Sequence, residues 1–170
     1  MPLATSQRPV NTARLSSLLR ANEGFRPGIY KDTVGKRTVG VGFNIDDPAI
    51  AKHISPDILS GRRQMAEPEA MQILEQRLLP IAMADAARYV GEDRFSQLDP
   101  VRQAVFVDLA YNLGAGKLNK FVKLKAALDR GDFNTAAFEL LNSNLARQLP
   151  HRTRRNANLL RTGGRVEAEP

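Results

Sequence analysis

Two acids of different setting, Glu23 and Asp32, stand in the run Glu23-Gly24-Phe25-Arg26-Pro27-Gly28-Ile29-Tyr30-Lys31-Asp32-Thr33-Val34-Gly35-Lys36-Arg37-Thr38-Val39-Gly40-Val41-Gly42. A carboxyl that keeps its proton beside one that ionises is what cleavage of a glycosidic bond requires: the first protonates the departing oxygen, the second faces the developing positive charge or directs a water. Glu23 has the setting for the first role. It follows the helix-spaced leucines Leu15, Leu18 and Leu19, with Asn11 or Thr12 available as the cap and Gly24 as the stop. Lying four after Leu19 and eight after Leu15, it shares their inward face, so its carboxyl points toward apolar surface. Desolvation and the negative end of the helix dipole both favour the protonated acid.

Asp32 belongs to a hairpin. The sequence predicts strands at Ile29 to Asp32 and Arg37 to Phe43 around a turn at Val34-Gly35-Lys36. Centred on Gly35, that hairpin sets Asp32 opposite Thr38, so acid and hydroxyl project from one face. Continued at period two, Gly40 and Gly42 fall on the Thr38 face and Val39, Val41 and Phe43 on the other, leaving a bare face that a sugar ring could approach. A dinucleotide fingerprint is excluded, since Ile45 stands where a third glycine would be.

Taken together, Glu23-Gly24, Asp32 and Thr38-x-Gly40-x-Gly42 resemble the catalytic segment of the phage-type lysozymes, glycoside hydrolase family 24. A second stretch, Gln148-Leu149-Pro150-His151-Arg152-Thr153-Arg154-Arg155 followed by Leu160-Arg161-Thr162-Gly163, is similar to that family's closing motif, and Ala110-Tyr111-Asn112-Leu113-Gly114 to a helix end that lines the cleft in relatives. The resemblance spans roughly residues 12–164. It implies an α+β, mainly helical, lysozyme-like fold as a single catalytic domain: a small β-containing lobe with its preceding helix over 12–66, a connecting helix over 67–90, a helical lobe over 91–164 and a tail at 165–170. It further implies a muramidase acting on the β-1,4 bond between N-acetylmuramic acid and N-acetylglucosamine. Glu23 is then the acid, Asp32 supplies either the charge or the base, and Thr38 holds the attacking water, for inversion as is general among such proteins. Gly40, Gly42, Asn112 and Arg152 bind substrate, and Arg152 orients Glu23. The resemblance departs from the family at Phe43, where relatives commonly carry His directly after Gly-x-Gly, and is weakest over Asn44 to Arg63.

Composition narrows the alternatives. The 170 residues, 42% hydrophobic, are enough for a buried core. No segment has the length of a membrane span and Met1 to Pro9 contain no apolar run of the signal-peptide kind, so the expectation is synthesis in the cytoplasm without a signal peptide and action on peptidoglycan in the periplasm or wall. A holin or a virion component is then the expected means of delivery, and stable membrane insertion is not expected. With no cysteine, two histidines outside any zinc spacing and no Gly-x-Ser-x-Gly elbow, the reading is cofactor-free and metal-free chemistry in a monomer. The net charge of +7 is concentrated late, at Arg147, Arg152, Arg154, Arg155, Arg161 and Arg165. An anionic partner follows. Nucleic acid is disfavoured because no basic-aromatic alternation accompanies the charge. The alternatives carried forward are a lytic transglycosylase, against which Asp32 and Thr38 argue, and a non-catalytic wall- or nucleic-acid-binding protein.

The remaining elements are predicted to be helical. Pro68 opens a helix running through Ala70, Ile73, Leu78 and Ile81 toward Val90, with Pro80 kinking or splitting it. Asp99 and Pro100 open another with Val101, Ala104, Val105 and Leu109 as its buried stripe, ending at Gly114. Phe121, Leu124 and Leu128 precede a stop at Gly131, and Phe133, Ala136, Ala137, Leu140 and Leu141 form the next inward face.

Overall fold

A computed structural model describes residues 11–164; the expected tail at 165–170, with Arg165, and the first ten residues lie outside it. The described chain is α+β: one three-stranded antiparallel sheet near the N-terminus, in the order β1-β2-β3, and helices elsewhere. It divides into two compact units between Ile81 and Ala82, inside the helix Leu79–Val90.

The unit Asn11–Ile81 begins with α1 (Thr12–Glu23), capped by Asn11, whose side chain accepts from Arg14 N–H. Gly24, at φ 72°, ends it, a conformation that costs glycine little. The sheet follows as β1 (Arg26–Lys31), β2 (Arg37–Gly40) and β3 (Phe43–Asn44). Its register differs from the expected one. Tyr30, not Asp32, pairs with Thr38, and Lys31 pairs with Arg37. The turn is centred one residue earlier, because Asp32 caps it: Oδ1 accepts from Val34 N–H at 3.0 Å and from Lys36 N–H at 2.8 Å, while Gly35 N–H closes onto the Asp32 carbonyl. Gly35 at φ 83° supplies the left-handed residue that such a hairpin loop needs.

The second strand also ends sooner than period two implies. Gly40 and Gly42, at φ 69° and 65°, fold the chain back so that Val39 pairs with Phe43 and Thr38 with Asn44. Val39, Val41, Phe43 and Ile45 are buried. Residues 45–63 form two one-turn helices, α2 (Pro48–Ala51) and α3 (Pro56–Leu59), each opened by a side-chain cap, Asp47 and Ser55, and a proline. Next come α4 (Glu67–Ile73), with Pro68 in its first turn, and a π-helical turn at Leu74–Leu78 that runs into α5 (Leu79–Val90). The expected split at Pro80 takes the form of this π-helical turn, which separates α4 from α5: Leu79 N–H reaches back to the Leu74 carbonyl just before the proline. Ser16, buried in α1, donates to Glu75 Oε1 at 3.0 Å, and Arg20 pairs with Glu67 at 2.7 Å, both within this unit.

The unit from Ala82 onward contains most of α5, then α6 (Glu92–Gln97), α7 (Pro100–Leu118), α8 (Val122–Asp129), α9 (Phe133–Leu141), α10 (Asn144–Gln148) and α11 (Pro150–Thr162). Packing of α11 on α9 and α7, and of α8 on α9, makes its core. Asp99 caps α7, and Gly114, with non-helical φ 75° and ψ 163°, breaks it. The buried stripe is broader than expected: Val105 through Ala110 are all buried, whereas Val101 and Ala104 are half-exposed. A helix covered on several sides shows no single apolar stripe. In α9, Ala136, Ala137 and Leu140 are buried, but Leu141 is 47% exposed, one position past the stripe.

Candidate active site

Glu23 is the last residue of α1, and its carboxylate lies across the α-carbon of Gly42. A methyl group built on Gly42 would stand 2.6 Å from Glu23 Oε2 and 2.9 Å from Cδ, so only glycine admits the acid there. Gly40 serves differently. Met65 Sδ and the Phe43 ring would lie 2.8 Å from a methyl at that position, so Gly40 is packed in the interior of the sheet turn instead of forming a bare outer face. Neither glycine therefore forms the bare face expected: Gly40 is packed under Met65 and Phe43, and Gly42 is covered by the Glu23 carboxylate.

Asp32 and Thr38 are held by the hairpin. Both turn hydrogen bonds fall on Asp32 Oδ1. The buried Thr38 donates its hydroxyl to the Lys36 carbonyl at 3.0 Å, which leaves the oxygen's lone pairs as acceptors. Tyr30, which no motif marked, sits directly across from Thr38 and two residues before Asp32, which lies just past the end of β1. Burial pushes its phenol up from the usual value, the charges of Glu23 and Asp32 add to that, and the Arg26 guanidinium, 4.2 Å from the ring centre, opposes it. The alternation Tyr30-Lys31-Asp32 was the signal for it.

In the helical unit, Asn112 is half-buried near the end of α7, just before the break at Gly114. Arg152 lies in the first turn of α11 and is bound side-on by a carboxylate no motif pointed to: Nε donates to Asp108 Oδ2 at 3.0 Å and Nη2 to Oδ1 at 2.6 Å. The only trace of Asp108 in the sequence is an acid inside an apolar helical run. A groove of about 650 Å³ also opens in this unit, with Phe121, Leu124 and Leu145 among its apolar lining and Lys117, Lys120, Lys123 and Arg147 around it against one acid, Glu139. Part of the late positive charge therefore surrounds a concave surface. Among the described residues no three His, Cys, Asp or Glu side chains converge to hold a metal ion, and no helix is long and apolar enough to cross a membrane.

A family model described as phage lysozyme matches residues 20–158, a stretch that contains Glu23, Asp32, Thr38, Gly40, Gly42, Asn112 and Arg152. The chain belongs to the phage lysozyme family. Relatives within reach of this lysozyme-family chain include two proteins of Dictyostelium discoideum. One, named probable T4-type lysozyme 2, is 26% identical over 161 residues, covering 88% of this chain and 94% of its own. The other, probable T4-type lysozyme 1, is 23% identical over 163 residues with the same coverage of 88% and 94%. The pre-baseplate central spike protein Gp5 of Enterobacteria phage T4 is 27% identical over 139 residues, which cover 72% of this chain and 23% of Gp5.

Proposed function

We propose that this phage lysozyme family member is a muramidase, hydrolysing the β-1,4 bond between N-acetylmuramic acid and N-acetylglucosamine in peptidoglycan. The observation that carries the reading is the Glu23 carboxylate seated on Gly42, next to a hairpin that fixes a second carboxylate and a hydroxyl, within the stretch the family model matches. Glu23 protonates the departing sugar oxygen, which leaves poorly as an alkoxide. Asp32, through the Oδ2 oxygen that neither turn bond uses, faces the oxocarbenium-like centre or takes a proton from water. Thr38 accepts a hydrogen bond from that water, and its own hydroxyl hydrogen is already committed to Lys36. Gly42 admits the Glu23 carboxylate that faces the sugar, Gly40 holds the turn that presents it, and Asn112 and Arg152 hold the polymer. No cofactor enters any step. The wall polymer, whose peptides carry carboxylates, suits the chain's charge of +7. Delivery by a holin or as part of a virion completes the proposal, the latter supported by the similarity to the spike protein Gp5.

The test is digestion of purified peptidoglycan followed by borohydride reduction and mass spectrometry of the released muropeptides. Reduced muramic acid ends are the expected result. Anhydro-muramic ends would assign a transglycosylase instead, and no released product would point to a wall-binding protein.

A further inference from the structure

We propose that Asp108 is a positioning residue that sets the orientation of the Arg152 guanidinium, and with it the grip on substrate; this rests on the muramidase reading above. Asp108 lies in the middle of α7 with its side chain 1% exposed, and Arg152 reaches it from the first turn of α11 with its side chain 12% exposed. A carboxylate taken so far from water is costly unless it is both paired and hydrogen-bonded. Asp108 meets both conditions: one edge of the guanidinium, Nε and Nη2, binds its two oxygens at 3.0 and 2.6 Å, and Asn156 Nδ2 donates to Oδ2 at 2.7 Å. Asn156 is one helical turn beyond Arg152, so both donors descend from the same face of α11 onto a single acceptor.

Docking of α11 does not rest on this cluster alone. Arg102 Nε donates to the Leu160 carbonyl at 2.7 Å, Thr153 Oγ1 to the Leu145 carbonyl at 3.3 Å, and Ala157 and Leu160 are buried. In proteins generally, an apolar pair of similar volume often replaces a buried ion pair at no loss of stability. What such a pair would not do is fix a planar cation. A two-point grip on one edge sets the plane of the guanidinium and with it the direction of Nη1, which a single hydrogen bond or a lysine would leave to rotate. Asparagine at 108 keeps the shape but can accept only one of the two bonds and turns an NH₂ toward the other donor.

Initial rates of new reducing ends, measured over a range of peptidoglycan concentrations, test the assignment in the parent protein, Asp108→Asn, Arg152→Ala and the double variant, with thermal unfolding followed in parallel. The expected result is at least a tenfold loss of kcat/KM in Asp108→Asn, carried mainly by KM, and less than a twofold further loss when Asp108→Asn is added to Arg152→Ala. Parental kcat/KM in folded Asp108→Asn, or an undiminished loss in the Arg152→Ala background, would overturn it. Should Asp108→Asn not fold, Arg152→Lys carries the same test, since it keeps the charge and removes the fork: a tenfold loss supports the proposal and parental kcat/KM refutes it. A parent protein that releases no reducing ends would refute the muramidase reading and this proposal together, whereas a parent that does so beside an unaffected Asp108→Asn would refute the positioning role alone.

Discussion

Gly42 and Gly35 have the same left-handed backbone and different surroundings, which separates strain from function. At Gly42, φ is 65° and an added methyl would stand 2.6 Å from Glu23 Oε2; at Gly35, φ is 83° and nothing lies within 4 Å. Alanine at either position pays for the left-handed conformation, about 1–2 kcal/mol. Only Gly42→Ala also displaces the acid, and a misplacement of about 1 Å costs roughly 10²-fold in rate. Unfolding midpoints should therefore fall in both variants, at least as far in Gly42→Ala, while peptidoglycan hydrolysis should collapse in Gly42→Ala and stay within a few-fold of parental in Gly35→Ala. Asp32 separates the same two effects by chemistry. Asparagine retains an Oδ1 that can accept from Val34 and Lys36, and alanine does not. Both variants should lose hydrolysis to the same extent, but Asp32→Ala should be the less stable by about 1 kcal/mol. Equal stability of the two would show that the turn does not rely on that carboxylate.

At the scale of elements, Asp99 joins two helices through Arg102. Its Oδ1 accepts from Arg102 N–H to cap α7, its Oδ2 pairs with the Arg102 guanidinium, and that guanidinium donates to the carbonyls of Leu160 and Arg161 in α11. Asp99→Ala should cost about 1–2 kcal/mol, read as a lower unfolding midpoint. That cap was legible in the sequence because Asp-Pro before an apolar run has a local cause, as were the α1 stop at Gly24 and the α7 break at Gly114. The hairpin register was not. It turned on whether Asp32 would cap the loop with its side chain and whether Gly40 would leave the strand, and alternation of apolar residues encodes neither choice. The full burial of Val105 through Ala110 and the outward place of Leu141 were hidden for a related reason: periodicity shows that a helix has an inner face, not how many neighbours cover it. Asp108 was invisible because its partners, Arg152 and Asn156, come from a helix distant in the chain.

For the molecule as a whole, charge sets two expectations. A chain of +7, with Lys117, Lys120, Lys123 and Arg147 around one groove, meets a polyanionic wall by attractions that salt screens over about 8 Å at physiological ionic strength. Hydrolysis of peptidoglycan should fall as salt rises, and Lys120→Glu with Arg147→Glu should weaken that dependence; an unchanged salt profile would remove the groove from the account. Stability should fall on both sides of neutrality. Asp46, Glu69, Asp129 and Asp132 are held below the usual carboxylate range, chiefly by hydrogen bonds from Arg37 N–H, Arg63, Lys125 and the Thr135 hydroxyl. Their contribution is present above the unfolded pKa, near pH 4, and is lost as pH falls through the lower folded values. Burial raises Tyr30 and Tyr89, so theirs is present below about pH 10 and lost as pH rises beyond it. Unfolding midpoints across pH should form a plateau between these limits. The central claim, that Glu23 is the proton donor in glycosidic cleavage, is tested most directly by the rate at which the parent protein and Glu23→Gln release reducing ends from one preparation of peptidoglycan. The account predicts a loss on the order of 10²–10⁴-fold in the variant with folding intact; a folded Glu23→Gln protein that hydrolyses peptidoglycan at the parental rate would contradict it.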